Sequence, residues 1–348
     1  MAFFDTLESW YEEHGRALPW RGIDNPYFIW LSEIILQQTR IEQGEEYYKR
    51  FIATFPTVAD LAAATEEQVL RLWQGLGYYS RARNLHAAAR YIMDQCGGRF
   101  PQNHVDLLKM KGVGRYTAAA IASFAFKEPI PVIDGNVYRF ISRLRGIATP
   151  IATPVAYNEF EQVLLKLIDR DRPDIFNAAL MDFGSLQCRP KPDCASCPFQ
   201  FQCEALQSGR VDLLPVKTGK VAPSDRWFLY FDMRTADSIL IHRRTGNDIW
   251  RGLWELPMLE TKAEIQEPLL DEVAAEYLSS SFALEGIAVK PIRNYIHQLT
   301  HRTIHALFLK AELEAMPAVL PENTEVCRLE ELKKRPVSRL IDKYLQDK

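Results

Sequence analysis

Four cysteines within 16 residues place the strongest constraint on the fold of this 348-residue chain. They follow the pattern C-x5-C-x2-C-x5-C and are Cys188, Cys194, Cys197 and Cys203. In a reducing compartment such a cluster favours a metal site over disulfide bonds. A zinc site usually has two close cysteine pairs, whereas this cluster has one. The pattern therefore favours a [4Fe–4S] cluster over zinc.

The hydrophobic periodicity changes type along the chain. Residues 3 to about 205 show helical spacing almost throughout, while the C-terminal part contains short apolar runs such as WFLYFDM and SILIHRR, which are typical of strands. A stretch rich in Gly, Pro, Ser and Lys lies between them and is typical of a linker. The sequence therefore predicts an all-α domain over 1–207, a linker over 208–225 and an α+β domain over 226–348. Within the all-α domain, Thr65-Glu-Glu-Gln68 predicts a capping box at the start of a helix that runs to the Gly75 and Gly77 pair.

The composition is 47% hydrophobic and 25% charged, which is typical of a soluble globular protein. No apolar stretch approaches the roughly 20 residues that span a bilayer. The N-terminal sequence MAFFDTLESWYEEHGR also lacks the basic and apolar regions of a signal peptide. These features predict a cytoplasmic protein that does not associate with membranes, and a monomer is the default expectation.

The charges are distributed unevenly, although the net charge is only −3. Residues 1–70 carry 5 Lys/Arg against 12 Asp/Glu, and residues 71–145 carry 12 Lys/Arg against 4 Asp/Glu. A basic block of this kind favours a face that binds a polyanion such as nucleic acid. A solvated helical surface would produce the same block.

The stretch HVDLLKMKGVGRYTAAAIASFAF (104–126) predicts two helices joined by a G-V-G turn. Gly112 and Gly114 permit a left-handed backbone and the close approach of another backbone. The free N–H groups at the start of the second helix can bind a phosphate, and Arg115 adds positive charge. A plain helix–helix corner is the alternative interpretation.

Two acidic residues are candidates for general acid–base chemistry. Glu33 lies in WLSEIILQQTR among apolar helical neighbours, where a carboxylate is costly unless it has a partner or a function. Asp134 follows the apolar run PIPVI at a predicted helix start, where aspartate is also a common structural N-cap. Cleavage of an N- or O-glycosidic bond requires such a pair, with one carboxyl protonated and one ionised.

These stretches together resemble the adenine DNA glycosylases of the MutY family, which belong to the helix–hairpin–helix glycosylases. The matching stretches are LPWRG (18–22), SEIILQQTR (32–40), WQGLGYYSRARNL (73–85), GVGRYTAAAI (112–121), VIDGNVYRF (132–140) and the cysteine loop. With the C-terminal half, the resemblance covers nearly the whole chain. It implies a DNA-repair enzyme that hydrolyses the N-glycosidic bond of adenine opposite 8-oxoguanine or guanine in double-stranded DNA and leaves an abasic site.

The resemblance implies a role for each residue that matches the family's motifs. Glu33 would protonate the adenine, and Asp134 would stabilise the sugar cation with Asn136 orienting its carboxylate. Tyr116 would position the acids and the sugar. The implied DNA contacts are a base pocket (Trp20 and Arg21), a wedge in the base stack (Gln38 and Tyr78) and a phosphate grip with a bound cation (Gly112, Gly114 and Arg115). The four clustered cysteines would hold the [4Fe–4S] cluster.

Tyr116 also bears on the type of reaction. Related endonuclease III enzymes have a lysine at this helix position, and the lysine attacks the sugar, forms an imine and leads to strand cleavage. Tyrosine cannot form that imine. The resemblance therefore implies an enzyme without lyase activity.

The C-terminal half resembles the family's Nudix-like domain, most clearly in WRGLWELP (250–257). The helix predicted next, LLDEVAAEYL, lacks the R-E-x-x-E-E pattern that holds Mg²⁺ in Nudix hydrolases, so this domain is expected to bind and not to hydrolyse. The family's F-S-H loop, which recognises 8-oxoguanine, corresponds here to Leu299, Thr300 and His301. Thr300 and His301 are therefore the predicted lesion-recognition residues, and an ordinary strand is the alternative.

Some features depart from the family's pattern. The first cysteine spacing is x5 where x6 is common, and Lys111 stands where a proline often precedes G-V-G. Two other functions are compatible with parts of the sequence. A mismatch thymine glycosylase shares the hairpin, the cluster and the tyrosine, but lacks the Nudix-like domain. A non-catalytic iron–sulfur protein that binds DNA or senses redox state would not need Glu33 and Asp134.

Overall fold

The predicted helical part of the chain is helical in the computed structural model, which describes residues 3–219, 222–266 and 268–347. The chain divides into two units by its internal contacts. We call them the helical unit, residues 1–63 and 87–219, and the sheet unit, residues 64–86 and 220–348. The segment 64–86 thus groups with the C-terminal residues, which the predicted domain limits do not anticipate.

The predicted linker, 208–225, includes Lys220 and Val221, which lie outside the described residues, as do Met1 and Lys348 at the predicted domain ends. Strand β1 begins at Ser224, inside the predicted linker. The predicted domain limits therefore remain a proposal.

The helices up to the cysteine loop follow one another with short connections. They are α1 (Phe3–His14), α2 (Pro26–Leu36), α3 (Ile41–Thr54), α4 (Val58–Ala63), α5 (Glu66–Trp73), α6 (Ser80–Gln95), α7 (His104–Leu107), α8 (Arg115–Phe126), α9 (Gly135–Arg145), α10 (Pro154–Leu165) and α11 (Pro173–Leu186). A 3₁₀ helix (Gln200–Gln202) and α12 (Glu204–Gln207) complete the series. Helix α5 and the first seven residues of α6, 80–86, belong to the sheet unit.

Local sequence signals set several helix ends. Thr65 and Gln68 form the predicted capping box at the start of α5, with hydrogen bonds in both directions. The Gly75 and Gly77 φ angles of 100° and 72° place the residues after α5 in a left-handed backbone, which glycine adopts at little cost. These ends agree with the sequence prediction.

Helices α1, α9 and α11 bury a core rich in aromatic side chains, including Phe140, Phe176 and Phe183. An extended segment, residues 130–133, leads from this core into α9. Asn177 is fully buried in α11 and holds that segment, because its side chain accepts from the Val132 amide at 2.8 Å and donates to the Ile130 carbonyl at 2.9 Å. These bonds fix the backbone immediately before Asp134.

The described C-terminal residues form a seven-stranded mixed sheet in the order β3-β2-β1-β6-β5, with β4 pairing β1 and β7 pairing β2. Its strands are β1 (Ser224–Arg234), β2 (Ser238–Arg243), β3 (Trp254–Glu255), β4 (Met258–Thr261), β5 (Lys290–Gln298), β6 (Arg302–Glu312) and β7 (Thr324–Arg328). Strands β1 and β6 run parallel, and the other named pairs run antiparallel. This sheet confirms the predicted α+β character of the C-terminal half.

Helix α13 (Leu270–Phe282) buries one apolar stripe in the core that it shares with the sheet. Leu270, Ala274 and Leu278 recur every four residues and are buried, as the spacing of one helix face requires. The chain ends in α14 (Leu329–Leu332) and α15 (Arg339–Gln346). In the part of the chain that the structure describes, none of the helices combines the length and the apolar composition needed to cross a bilayer.

Candidate active site

One open pocket of the helical unit collects most of the predicted catalytic residues. It encloses about 990 Å³, counting the space at its mouth. The predicted residues that line it are Trp20, Arg21, Glu33, Tyr116, Asp134 and Asn136. They come from the loop before α2, from α2 and from the starts of α8 and α9. Glu33 and Asp134, which lie about 100 positions apart in the sequence, therefore meet in one pocket.

Glu33 is an almost fully buried acid, with 8% of its surface exposed, and it lies between buried apolar residues of α2. Burial raises the pKa of its carboxyl, because the charged form loses hydration. A hydrogen bond from Tyr116 and the charge of Arg21 partly offset that rise in the pKa. Glu33 is thus suited to keep its proton at pH values where an exposed glutamate has lost it.

Asp134 is the N-cap of α9 and also faces the pocket. Its Oδ1 accepts from the amides of Asn136 and Val137 at 2.8 and 2.7 Å, and its Oδ2 accepts from the Asn136 side-chain amide at 2.7 Å. Burial raises the pKa of Asp134, while these hydrogen bonds and the charge of Arg139 lower it. With more donors than Glu33, Asp134 is the carboxyl that ionises first. The structural cap and the candidate catalytic group are therefore the same residue.

Tyr116 lies in the first turn of α8 and is hydrogen-bonded to Glu33. Burial and the two nearby carboxyls raise the pKa of its hydroxyl well above its ordinary value. The hydroxyl therefore stays protonated and acts as a donor toward Glu33.

The G-V-G turn joins α7 to α8, as predicted. Gly112 has a φ of 79°, which requires glycine or strain, whereas Gly114 is extended and is the N-cap of α8. A Cβ added to Gly114 would meet no atom within 4 Å, so the surface above this residue is open. Arg115 is exposed, and its guanidinium lies 5.1 Å from the ring centre of Tyr157. The turn leaves room for a phosphate and places a cation beside it.

Arg21 and Trp20 form another wall of the pocket. The Arg21 guanidinium lies 5.0 Å from the ring centre of Phe124 and 4.0 Å from an Asp182 oxygen. One of its buried nitrogens, Nη1, has no hydrogen-bond partner among the described residues. Trp20 is buried and packs edge-on against Tyr48. Arg21 therefore places a positive charge in the pocket wall.

Arg16 and Asp182 support this wall and were not predicted from the sequence. Asp182 is 1% exposed and accepts from the Arg16 amide at 2.9 Å and from its Nε at 3.1 Å. A usable signal was present, because Asp182 lies among apolar residues of a helix just as Glu33 does. An acidic residue among apolar helical neighbours is the feature that singles out Glu33, and Asp182 has the same feature.

Arg139 was also missed, although it lies within the quoted stretch VIDGNVYRF. It donates to the backbone carbonyl of Cys188 at 2.8 Å and to the Asn136 side-chain oxygen at 2.8 Å. Asn136 in turn donates to Asp134. A continuous path of hydrogen bonds therefore connects the cysteine loop to the Asp134 carboxylate.

The four clustered cysteines line a single pocket that α9 and the chain after α11 enclose. Arg143 supports their loop from within, because its guanidinium donates to the carbonyls of Arg189, Val211 and Leu214 at 2.8, 2.9 and 3.0 Å. Across residues 3–219, 222–266 and 268–347, no three His, Cys, Asp or Glu side chains converge closely enough for a single metal ion. Four cysteine thiols around one pocket are nevertheless the type of donor set that a [4Fe–4S] cluster takes.

The two predicted wedge residues share an unusual backbone. Gln38 and Tyr78 have φ angles of 56° and 47°, in the left-handed region that side chains other than glycine rarely adopt. Gln38 is exposed and does not line the acid pocket. Tyr78 is 45% exposed, which is unusual for so large a side chain. Backbone strain of this kind is concentrated at functional positions.

The predicted lesion-recognition residues lie in the turn between β5 and β6, not in a strand. Thr300 and His301 are both exposed. The Thr300 hydroxyl contacts the hydroxyl of Tyr78, so two residues predicted separately to bind DNA lie side by side in the sheet unit. The His301 carbonyl accepts from the Ser224 amide at 3.1 Å, which ties the turn to β1.

Two sequence families match the chain. The HhH-GPD superfamily of base excision DNA repair proteins matches residues 31–166, and the NUDIX domain matches residues 228–347. Among solved structures, a thermostable thymine-DNA glycosylase is similar with a TM-score of 0.55 at 28% identity, covering 59% of this chain and 95% of that chain. An endonuclease III–DNA covalent intermediate is similar with a TM-score of 0.52 at 25% identity, covering 59% and 94%.

Several adenine DNA glycosylases are similar in sequence. The protein of Mus musculus is 41% identical over 62% of this chain, and the chain spans only 44% of that protein's length. The protein of Arabidopsis thaliana is 30% identical over 88% of this chain and 57% of its own length. The protein of Buchnera aphidicola from Schizaphis graminum is 32% identical over 88% of this chain and 86% of its own length. The chain therefore belongs to the adenine DNA glycosylase family, the MutY family of helix–hairpin–helix proteins, with a C-terminal Nudix domain.

Proposed function

We propose that this chain excises adenine opposite 8-oxoguanine or guanine in double-stranded DNA and leaves an abasic site. The observation that supports it most strongly is the placement of Glu33 and Asp134 in one pocket with different hydrogen-bond environments. Hydrolysis of an N-glycosidic bond needs an acid for the leaving base and an anion for the sugar cation. The relatives named adenine DNA glycosylase support adenine as the base.

The two carboxyls would divide the work. The extruded adenine enters the pocket, where Glu33 donates a proton to a ring nitrogen and makes the base a neutral leaving group. As the bond breaks, positive charge develops on the sugar, and the ionised Asp134 stabilises it while Asn136 keeps that carboxylate oriented. Tyr116 holds Glu33 in place, and Trp20 and Arg21 line the pocket that receives the base.

The DNA backbone and the opposite strand would be bound at separate surfaces. The open turn at Gly112 and Gly114, with exposed Arg115, suits a phosphate and a bound cation. Gln38 and Tyr78 are proposed to fill the gap left in the stack by the extruded adenine. Thr300 and His301 are proposed to contact the 8-oxoguanine, in keeping with their exposure on the β5–β6 turn. A monomeric, cytoplasmic protein stays a prediction from the sequence.

The reaction is proposed to stop at the abasic site. Lyase chemistry needs an amine that attacks the sugar. Among the described residues that line the acid pocket, none is a lysine, and the hydroxyl of Tyr116 occupies the start of α8. This supports an enzyme that hydrolyses the glycosidic bond without cutting the strand.

Cys188, Cys194, Cys197 and Cys203 are proposed to hold one [4Fe–4S] cluster. Such a cluster would cross-link the loop after α11 and hold it against α9. The shorter first spacing is compatible with this, because Arg143 and Gln187 hold the loop between Cys188 and Cys194 through its carbonyls. Gln187 donates to the Asp193 carbonyl at 2.7 Å.

We expect the purified protein to release adenine from a labelled duplex with adenine opposite 8-oxoguanine, and the strand to break only after hot alkali. Duplexes with adenine opposite guanine and with thymine opposite guanine serve as comparisons. Strand breakage without alkali would contradict the absence of lyase activity. Excision confined to thymine would contradict the choice of base.

Glu33→Gln and Asp134→Asn should each lower the single-turnover excision rate by at least about 100-fold, since each removes a group that moves or stabilises charge in the transition state. Neither should lower the melting temperature much at neutral pH. The folded-state pKa of Glu33 is raised, so the stability linked to this group is present at low pH and already lost above that pKa. Asparagine at 134 can still cap α9.

The matched control for these variants is Glu13→Gln, which neutralises a glutamate with a 79% exposed side chain in α1. It should leave the excision rate unchanged. Near-normal turnover in either acid variant would contradict the assigned roles.

Anaerobically purified protein should contain about four iron atoms and about four acid-labile sulfides per chain, as a [4Fe–4S] cluster requires. Cys197→Ser should lower both, whereas Cys96→Ser, a cysteine outside the cluster, should leave them unchanged. One equivalent of zinc with no labile sulfide would contradict the proposal.

A further inference from the structure

The stretch WRGLWELP has no role in the chemistry described so far, and the structure shows what it contacts. The Arg251 carbonyl accepts from Arg83 Nη1 at 2.6 Å. Gly252 has a φ of 84°, and a Cβ there would come within 2.9 Å of the Leu70 side chain and 3.1 Å of a Glu66 oxygen. The stretch therefore packs closely against residues 64–86, which we call the arm.

Glu67 is an arm residue that contacts two side chains of the rest of the sheet unit. Its Oε1 accepts from Trp254 Nε1 at 3.2 Å and from Arg335 Nη1 at 3.0 Å. The Arg335 guanidinium also lies 4.8 Å from the ring centre of Trp254, so the three side chains form one cluster. The Glu67 and Arg335 side chains are partly shielded from solvent, and Trp254 is buried. Hydrogen bonds to Glu67 are therefore stronger than those of a fully exposed ion pair.

A second group of contacts holds the end of α5 and the start of α6. The Gln74 side chain accepts from the Val337 amide at 3.2 Å, and the Tyr79 hydroxyl donates to the Val337 carbonyl at 3.3 Å. Tyr78 lies between these two residues. The left-handed backbone at Tyr78 is thus flanked, before and after it in the sequence, by residues that are hydrogen-bonded to Val337.

The arm contacts the lesion-recognition turn through Tyr78. The Tyr78 hydroxyl contacts the Thr300 hydroxyl, and this contact joins the arm to the β5–β6 turn. A displacement of the arm would therefore separate Tyr78 from Thr300. The acid pocket draws none of its lining residues from the arm.

We propose that Glu67 is a positioning residue for recognition of the base opposite the adenine. By binding Trp254 and Arg335, it fixes the arm so that Tyr78 and Thr300 present one joint surface to that base. The inference rests on the proposed function. In this proposal the WRGLWELP stretch holds the arm and takes no part in Nudix hydrolysis.

The test compares Glu67→Ala and Glu67→Gln with the control Glu45→Gln, which breaks an ion pair with Lys49 within α3 of the helical unit, at a glutamate of similar exposure. Single-turnover adenine excision is measured with 8-oxoguanine and with guanine opposite the adenine. Loss of one partly buried charged pair corresponds to about a tenfold change. We expect Glu67→Ala to lower the ratio of the two rates about tenfold, mainly through the 8-oxoguanine duplex. Glu67→Gln keeps an oxygen for Trp254 and should lower the ratio less, and the control should not change it.

A double-substitution experiment distinguishes positioning from general destabilisation. If Glu67 acts through Thr300, adding Thr300→Ala to Glu67→Ala should lower the ratio little beyond the larger single effect. Melting temperatures and binding to a duplex with a non-excisable adenine analogue are measured alongside, so that a variant that unfolds is recognised. An unchanged ratio in a folded Glu67→Ala protein, or an equal fall of both rates, would overturn the inference alone. Absence of adenine excision by the unsubstituted protein would overturn the proposed function and this inference with it.

Discussion

The burial of two carboxyl groups in one pocket is the constraint on which the rest of this structure depends. Glu33 and Asp134 both lose hydration, and burial raises the pKa of each. Their hydrogen bonds differ, since Asp134 accepts three and Glu33 is bonded to Tyr116. That difference favours ionisation of Asp134 over ionisation of Glu33. The arrangement costs stability, which the surrounding fold has to supply.

Several hydrogen bonds of the surrounding fold fix the backbone around Asp134 and so offset the cost in stability of burying its carboxyl. Asn177 clamps the segment before it, and the amides of α9 bind its carboxylate. Arg139 then connects its partner Asn136 to the Cys188 carbonyl. A cluster bound at the four cysteines would therefore stiffen the same network that orients Asp134. The cysteine loop would thereby contribute to the orientation of the Asp134 carboxylate.

The sequence was sufficient for features that depend on local chemistry. The Thr65–Gln68 capping box, the glycine turn before α8 and the Asp134 cap all rest on residues a few positions apart, and all were predicted. Family resemblance then selected residues far apart in sequence, and the pocket does bring Glu33, Tyr116 and Asp134 together.

Residues whose importance depends on distant partners were not predicted. Arg139 is ordinary by its local sequence, and only the position of Cys188 reveals its bridging role. The grouping of residues 64–86 with the C-terminal half was missed for the same reason, because Glu67 meets Arg335 at a separation of 268 positions. No local pattern encodes a contact of that kind, whereas Asp182 could have been found by the burial argument applied to Glu33.

If a protonated Glu33 and an ionised Asp134 act together, the single-turnover excision rate depends on pH through both groups. The rate should rise with pH as Asp134 ionises and fall as Glu33 loses its proton, above the ordinary glutamate pKa of about 4.3. The Tyr116 hydrogen bond lowers the pKa of Glu33, so Tyr116→Phe should move the falling limb to higher pH. A falling limb in the ordinary glutamate range, or one that Tyr116→Phe leaves in place, would contradict the role of Glu33 as the acid.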